Sequence, residues 1–499
     1  MRLRILMVIL AWIATGALAA IDPALVARLA AEDNDEKVAA IAAIVATGDP
    51  EAFKVLKSLA DGELRHGGEE VTINNRVRRE LEAAMAAMRL FAPEVEARRA
   101  AVRELAGGTD EALLPVIRKA LEREADAEVR AALQMIAASI QLKGGEKADR
   151  LAAIRLLGTS SNPATKTLLL PLADRAETDE DVRRAAVWSL KAVEARLARA
   201  SFAGLVFAGV SLGSILLLAA LGLAITYGLM GVINMAHGEL IMIGAYTTYV
   251  VQNLFRAHAP GIFDAYLLFA VPAAFAVSAL VGMALERSVI RWLYGRPLET
   301  LLATWGLSLV LIQAVRTIFG AQNVQVENPA FMSGGVEIFT GIVLPWSRIV
   351  IIAFAAGVIG LVALLLARTR LGLFVRGVTQ NRAMAACVGV PTARVDTWAF
   401  GLGSGLAGLA GCALSQIGNV GPDLGQAYLV DSFMVVVLGG VGQLAGTVYA
   451  ALGLGFANKL LENWQGAVIA KIVVLLFIIA FIQKRPQGLF ALKGRSVEA

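Results

Sequence analysis

The stretch GLMGVINMAHGELIMIGAY, residues 228–246, lies in the most apolar half of the chain, yet it carries Asn234, His237 and Glu239 within six positions. An amide, an imidazole and a carboxyl group are costly at membrane depth, where such groups usually face a cavity or a partner. In one interpretation they sit at a turn between two spans, solvated or capping helix ends. In the other, Gly238 breaks a helix whose polar groups line a path for a polar solute.

The composition of the whole chain indicates a membrane protein. Of its 499 residues 57% are hydrophobic, and the mean hydropathy is +0.65. The net charge is +5 and the pI about 9.2, but no basic stripe with interleaved aromatic residues accompanies them. In the apolar half, Lys and Arg collect between hydrophobic runs, which is typical of membrane topology and argues against a nucleic-acid partner.

Long apolar runs recur through the second half of the chain. More apolar sequence between 429 and 461 is interrupted by Gly439, Gly440, Gly442 and Gly446, which predicts two short spans or one span with a re-entrant piece. We therefore predict an all-α fold, with a polytopic domain of about eight or nine spans over residues 200–490 and a tail over 491–499. The clearest runs are 202–230, 232–255, 265–285, 299–319, 345–367, 397–417 and 468–482.

Basic residues set the expected orientation. Clusters at 287–296, 368–382 and 484–485 predict cytoplasmic sides, and the loop 321–344 has no Lys or Arg, which predicts the outer side. Residues 1–19 resemble a signal peptide cleaved after Ala19, which would deliver the following region to the same outer side. The basic clusters and the signal peptide both place residue 200 on the outer side, whereas the C-terminus is expected in the cytoplasm. A chain that starts and ends on opposite sides crosses the membrane an odd number of times, so we favour nine spans in a bacterial inner membrane.

Residues 20–199 are rich in Ala, Leu and charged residues, and the pattern repeats. AAVRELAGGTDEALLP from Ala100 returns as AAIRLLGTSSNPATKTLLLP from Ala152, and AEVRAALQMI from Ala127 returns as EDVRRAAVWSL from Glu180, at offsets of 52 and 53 positions. Each copy predicts a helix, a turn and a second helix. One such pair cannot bury its own apolar face, so we predict a periplasmic α-solenoid resembling HEAT repeats.

The remaining motifs argue against chemistry in this chain. Gly403, Gly405 and Gly408 match a dinucleotide fingerprint but lie inside an apolar run, so with Gly401 they predict close helix packing, as do Gly439, Gly440 and Gly442. No P-loop, catalytic triad or paired-Cys metal spacing is present, and the two cysteines are Cys387 and Cys412. We therefore expect no enzyme activity, no metal and no directly bound cofactor.

The longest basic loop runs from Arg368 to Val395. It predicts a short amphipathic helix pair, with Leu371, Phe374 and Val378 on one face and Arg376 and Arg382 exposed. It is either an ordinary cytoplasmic connector or a docking site for a partner.

Five separated motifs resemble one family in order: LGLAITYGLMGVINMAHGELIMIGAY, ERSVIRWLYGRPL with TWGLSL, RTRLGLFVRGVTQNRAMAACVGV, MVVVLGGVGQLAGTVYAALGLG and RPQGLF. They resemble the permease subunits of branched-chain amino acid ABC importers, from about Ser201 to Phe490. The N-terminal extension is similar to the urea-type permease subunit of that family. The resemblance implies a second homologous permease subunit, two cytoplasmic ATP-binding subunits that use the ATP, and a periplasmic solute-binding protein.

The resemblance also implies roles for residues. The loop around 370–390 becomes the coupling element that docks on the ATPases, and urea or a short amide becomes the expected solute. The alternative is a branched-chain amino acid, and a third interpretation is a passive channel or secondary carrier with a solenoid ectodomain. The coupling residues implied are Arg370, Gly372, Arg376, Asn381, Arg382 and Gly389.

Overall fold

The computed structural model describes most of the chain between residues 23 and 490. The described ranges are 23–31, 33–47, 50–66, 69–71, 73–105, 113–142, 144, 146–175, 177–231, 233–339 and 342–490. The predicted signal peptide and the predicted tail lie outside them. The chain divides into two compact units, the first ending at Ala198 and the second beginning at Arg199.

The first unit is built from helices with one short hairpin, in which the strands β1 (Arg65–His66) and β2 (Glu69–Glu70) pair antiparallel. Most of the helices are 10 to 15 residues long, which suits an amphipathic helix with one buried stripe. They are α1 (Pro23–Leu29), α2 (Asn34–Thr47), α3 (Pro50–Ala60), α4 (Asn75–Arg89), α5 (Val95–Leu105), α6 (Leu114–Arg123), α7 (Ala127–Gln141), α8 (Lys147–Leu157) and α9 (Pro163–Ala173).

Helices of the first unit pack mainly on their sequence neighbours. α2 contacts α1 and α4, α4 contacts α5, and α7 contacts α6 and α8. Fully buried leucines such as Leu56, Leu81 and Leu133 join these contacts into a continuous apolar core. Because each helix offers one apolar stripe, its neighbours must cover that stripe for the helix to be stable.

The same ion pair occurs twice in this unit. Arg98 of α5 binds Glu124 at 2.9 Å, and Arg150 of α8 binds Glu177 at 2.6 Å. Each carboxylate also accepts the backbone N–H two residues on, that of Asp126 or of Asp179. The Arg98–Glu124 pair is well buried, with side-chain exposures of 15% and 2%. The spacing of the two pairs follows the sequence offsets of 52 and 53.

The aspartates beside these pairs cap the next helices. Asp126 Oδ1 accepts from the backbone N–H of Glu128 (3.1 Å) and Val129 (3.0 Å) at the start of α7. Asp179 Oδ1 accepts in the same way from the N–H groups of Asp181 (2.9 Å) and Val182 (3.3 Å). A side-chain oxygen at this position satisfies N–H groups that have no partner within the helix.

These contacts lower the pKa of the acidic groups. The hydrogen bond from Arg98 holds the pKa of Glu124 below its usual value, and the hydrogen bond from Arg150 does the same for Glu177. The hydrogen bond from the Val129 N–H lowers the pKa of Asp126, and the hydrogen bond from Lys147 lowers that of Asp179. Each carboxyl group therefore favours its charged form in the folded unit.

The second unit is also helical, with one hairpin in the loop 321–344, where β3 (Gly335–Phe339) pairs antiparallel with β4 (Ile342–Pro345). The fold is thus mostly helical as expected, while the two hairpins depart from the all-α prediction. Helix α10 (Glu180–Met230) begins in the first unit and ends in the second. The other helices of the second unit are α11 (His237–His258), α12 (Tyr266–Ser288), α13 (Pro297–Phe319), α14 (Trp346–Arg368), α15 (Arg370–Gln380), α16 (Arg382–Cys387), α17 (Thr392–Ser415), α18 (Leu424–Gly439), α19 (Leu444–Gln465) and α20 (Ala467–Lys484).

Seven helices in the described part of the chain are long and apolar enough to cross a membrane: α10, α12, α13, α14, α17, α19 and α20. α18 is apolar but only 16 residues long, and the 22-residue α11 carries buried polar groups. Counting both as spans gives nine, so eight or nine stays a prediction. The boundary predicted at residue 200 falls inside α10, whose 51 residues continue from charged into apolar sequence.

α17 is the most buried of the seven helices, and glycines bring it close to three others. A Cβ added at Gly401 would lie 2.7 Å from the Met283 side chain of α12, and one at Gly411 only 1.9 Å from the carbonyl oxygen of Ile241 in α11. Gly403 lies similarly close to the backbone of Gly222 in α10. Close approach of backbones through small residues is how membrane helices gain packing energy. The other two predicted packing glycines of α17, Gly405 and Gly408, face Phe275 and Ser278 of α12.

The glycine-rich turn between α18 and α19 is covered by the end of the described chain. Gly440, with φ of +99°, adopts a backbone conformation that favours glycine, and a Cβ there would lie 2.4 Å from the Phe490 carbonyl oxygen. The N–H of Leu489 donates to the Leu438 carbonyl at 2.8 Å. Residues of the RPQGLF motif thus pack on this turn. Of the two other predicted glycines, Gly439 lies against Gly446, and Gly442 lies against Gly228.

Candidate functional site

The turn before α11 places Asn234 in the interior of the second unit. Its side chain is 2% exposed, and its Oδ1 accepts from the Ala236 N–H at 3.0 Å. Its Nδ2 has no hydrogen-bond partner among the described atoms. Asn234 therefore shapes the turn with one end of its amide and leaves a buried donor at the other.

α11 begins at His237, so Gly238 lies within the first turn of a helix and does not break one. The imidazole of His237 is fully buried, and its Nε2 donates to the Ala219 carbonyl of α10 at 2.9 Å, since a carbonyl can only accept. A Cβ on Gly238 would lie 2.8 Å from the Gly425 carbonyl oxygen. These two residues fix the start of α11 against α10 and α18.

Glu239 is 1% exposed and has polar partners on two other helices. The hydroxyl of Ser308 in α13 donates to its Oε1, and the side chain of Gln426 in α18 lies beside the carboxyl group. The carboxyl group is thus buried and partnered, as a polar group in a membrane interior requires. The solvated interpretation of the three polar groups does not fit this burial.

α13 presents a stripe of hydroxyl groups to this region. Thr300, Thr304 and Ser308 recur every four residues and are at most 2% exposed. The Thr304 Oγ1 accepts from the Met235 N–H at 3.1 Å, and Ser308 reaches Glu239. α13 and the start of α11 therefore meet through polar groups.

The sequence carries a signal for this stripe, although none of its residues is charged. Hydroxyl residues at spacings of four lie on one face of a helix, and their neighbours in α13 are apolar. The face shared by Thr300, Thr304 and Ser308 is therefore predictable from their spacing. Gln426 offers no comparable signal, because its contact depends on how α18 packs.

The predicted docking loop forms the short helix pair α15 and α16. Asn381 caps α16 by accepting from the Met384 N–H at 2.9 Å, and Gly389 follows α16 with φ of +84°. Gly372 lies against the backbone of Leu366, so α15 folds back on the end of α14. Arg370 and Arg376 are exposed, as expected for a loop that faces water or a partner.

Arg382 is also exposed, as predicted, with a side-chain exposure of 43%. Its guanidinium forms a salt bridge with Asp396 of α17, whose side chain is 1% exposed. The Nη1–Oδ1 distance is 3.3 Å. The loop is thus tied to a membrane helix through a buried carboxylate.

The polar groups around Glu239 suit binding better than catalysis. They offer a carboxyl acceptor, an amide donor and hydroxyl groups that both donate and accept. Within the described residues, no three His, Cys, Asp or Glu side chains come together as a metal site. A helical membrane unit with a buried polar region of this kind is typical of a solute permease.

Comparison with known proteins defines the class further. The family profile described as "branched-chain amino acid transport system / permease component" matches residues 205–482, more than half of the chain. The chain belongs to this family, whose relatives are transport permease subunits of ABC importers. The matched residues lie within the second unit.

Individual relatives agree with the family. The high-affinity branched-chain amino acid permease protein BraD of Pseudomonas aeruginosa is 28% identical over 287 residues, covering 56% of this chain and 93% of the relative. The protein LivH of Escherichia coli is 28% identical over 290 residues, covering 57% and 93%. The probable LivH of Methanocaldococcus jannaschii is 26% identical over 297 residues, covering 55% and 88%. No solved structure matches the chain.

Proposed function

We propose that this chain is a membrane-spanning subunit of an ATP-driven importer that carries a branched-chain amino acid. The observation that carries the proposal is the family match over residues 205–482. Because the sequence has no P-loop, ATP hydrolysis is assigned to two partner ATP-binding subunits. A second homologous permease subunit and a solute-binding protein complete the complex.

The buried polar region supports an amino acid as the solute. We assign Asn234, Glu239 and the hydroxyl stripe of α13 to the translocation path, with His237 and Gly238 holding the start of α11. The Glu239 carboxyl group is a hydrogen-bond acceptor that suits a passing ammonium group. The amide of Asn234 supplies a donor that suits a carboxylate.

The expected urea or short amide is less well supported. It rests on the predicted signal peptide and the N-terminal extension, whereas the relatives reported above are named for branched-chain amino acids. The family match therefore favours the alternative stated from the sequence, and urea becomes the competing solute in the experiment.

The test is uptake by the complex reconstituted in proteoliposomes with its ATPases and binding protein. We expect labelled leucine to accumulate only with ATP, to be blocked by vanadate, and to exceed labelled urea. Faster urea uptake would reverse the substrate assignment. Uptake of either solute without ATP would instead support a passive channel or secondary carrier and overturn the importer.

We also propose that residues 20–199 form a stacked helical-repeat domain on the periplasmic side. The recurring pairs Arg98–Glu124 and Arg150–Glu177 and the neighbour-to-neighbour packing support the repeat. Trp188, 69% exposed, offers a site for Trp188→Cys, while the exposed Cys387 lies in the proposed cytoplasmic loop. A membrane-impermeant maleimide should label the new cysteine in spheroplasts and Cys387 only after permeabilisation. The reverse order would overturn this orientation.

A further inference from the structure

A second group of buried polar side chains lies between the docking loop and the membrane helices. Glu286, in the last turn of α12, is 2% exposed, and Asp396, near the start of α17, is fully buried. Two carboxyl groups in one interior site repel each other unless donors and a cation surround them. The five residues Glu286, Tyr294, Arg382, Asp396 and Thr397, called the loop cluster below, supply those partners.

Glu286 joins three segments through two hydrogen bonds. The Tyr294 hydroxyl donates to its Oε1 at 2.9 Å, from the short connection between α12 and α13. The Thr397 Oγ1 donates to its Oε2 at 2.7 Å, from the first turns of α17. Both carboxyl oxygens are therefore occupied, and the ends of α12 and α17 are held together at this point.

Arg382 connects α16 to the same cluster. Its guanidinium forms the salt bridge with Asp396, and the guanidinium carbon lies 5.1 Å from the centre of the Tyr294 ring. The carboxylate contacts the edge of the planar guanidinium, and the aromatic ring contacts its face. A movement of the guanidinium within its plane or away from the ring therefore breaks one of these contacts. Tyr294 contacts both halves of the cluster, Arg382 with its ring and Glu286 with its hydroxyl.

We propose that the loop cluster is the positioning element that transmits movement of α16 to α12 and α17. The inference rests on the proposed function and concerns the coupling step within it. α17 packs on α10, α11 and α12 through close glycine contacts, so a displacement at its first turn is passed to all three helices. The five residues act through these helices, so they are positioning residues and not part of the solute path.

Transport coupling tests the role directly. In the reconstituted complex we expect Glu286→Gln, Tyr294→Phe and Thr397→Val each to lower the solute carried per ATP hydrolysed by about tenfold, as loss of a hydrogen bond to a charged group implies. Thr397→Ser keeps the hydroxyl and should restore the ratio. The control is Tyr449→Phe, since the Tyr449 ring is 65% exposed. Wild-type ratios in all three variants would overturn the proposal.

A second measurement does not depend on transport. Cys387 is exposed in α16, whereas Cys412 is buried, so a nitroxide reagent on the full chain in lipid nanodiscs should report α16. We expect the label to become more mobile in Glu286→Gln, Tyr294→Phe and Thr397→Val and to keep its wild-type mobility in Thr397→Ser.

The two measurements separate the two proposals. If the wild-type complex shows no ATP-coupled uptake, the proposed importer function is wrong. The label mobility still tests the positioning role of the loop cluster in that case. Unchanged label mobility in Glu286→Gln and Tyr294→Phe would contradict the positioning role, whatever the transport result.

Discussion

The two units of this chain use polar side chains in different ways. In the first unit, ion pairs such as Arg98–Glu124 fasten one helix to the next, and carboxylates cap helix starts. In the second unit, backbone contact at glycines such as Gly411 brings helices together, and the buried polar groups gather around Glu239 and in the loop cluster. Lipid removes the hydrophobic driving force between helices, so close packing takes its place and polar groups are retained mainly for function.

The largest expected effect comes from breaking the glycine packing. Gly411→Leu places side-chain atoms where a Cβ alone would lie 1.9 Å from the Ile241 carbonyl oxygen. Because α17 is held on several sides, we expect a cost above about 3 kcal/mol and little folded protein. The measurement is the monodisperse fraction and thermal midpoint in detergent.

A matched control exists on α19. A Cβ at Gly453 would meet no atom within 4 Å, and the residue is exposed, so Gly453→Leu should behave as wild type. Equal midpoints for Gly411→Leu and Gly453→Leu would show that close backbone contact does not hold the second unit together.

The next effect concerns the buried ion pair of the first unit. Glu124→Ala leaves the Arg98 guanidinium, 15% exposed, without its carboxylate, and we expect a loss of about 3 kcal/mol in the free energy of unfolding of this unit. Hydrogen exchange of peptides from α5 to α7 measures it. Glu104→Ala breaks the exposed pair with Arg89 and should cost less than about 1 kcal/mol. Equal losses would remove the distinction between buried and exposed pairs.

The first unit should also lose stability in acid. Glu124 and Glu177 have folded-state pKa values lowered by their arginine partners, so their stabilisation is complete above the ordinary glutamate pKa of about 4.3 and is lost as the pH falls through the lower folded values. Urea-unfolding midpoints between about pH 6 and about pH 3 should fall at the acid end. Glu124→Gln should flatten this dependence, and an unchanged slope would contradict the role of the pair.

The smallest effect on folding is expected from the hydroxyl stripe. Ser308→Ala removes the donor to Glu239, and interhelical hydrogen bonds in membranes contribute only about 0.6 kcal/mol. We expect a thermal midpoint near that of wild type with clearly slower leucine uptake. Thr317→Ala is the control on the same helix, because the exposed Thr317 hydroxyl donates to the Gln313 carbonyl of its own helix. Equal uptake by both variants would remove Ser308 from the path.

Sequence patterns predicted the helices better than their contacts. The lengths of the apolar runs predict the positions of α12 and α13 closely. In the first unit, the apolar residues at helical spacing and the sequence repeat predict pairs of helices separated by turns. The sequence does not distinguish the two helices α18 and α19 from one span with a re-entrant piece, because glycines are found in re-entrant segments and in turns alike. Periodicity also gave no sign that α10 continues through residue 200.

The polar region around Glu239 was only half predictable. Asn234, His237 and Glu239 stand out because their side chains are rare in apolar sequence, but their partners come from α13 and α18, more than sixty residues away along the chain. The same distance hides the contacts of Glu286 with Thr397. Such pairings depend on which helix faces meet, and that is decided by packing rather than by local sequence.

The return of residues 485–490 onto the turn after α18 has a consequence for biosynthesis. Leu489 and Phe490 donate hydrogen bonds to the carbonyls of Leu438 and Gly439, roughly fifty positions earlier in the chain. During synthesis, α19 and α20 are translated before the two residues that donate to those carbonyls. The turn is therefore covered only after residues 489 and 490 have been synthesised, and a chain that stops before them would leave these two carbonyls without their N–H donors.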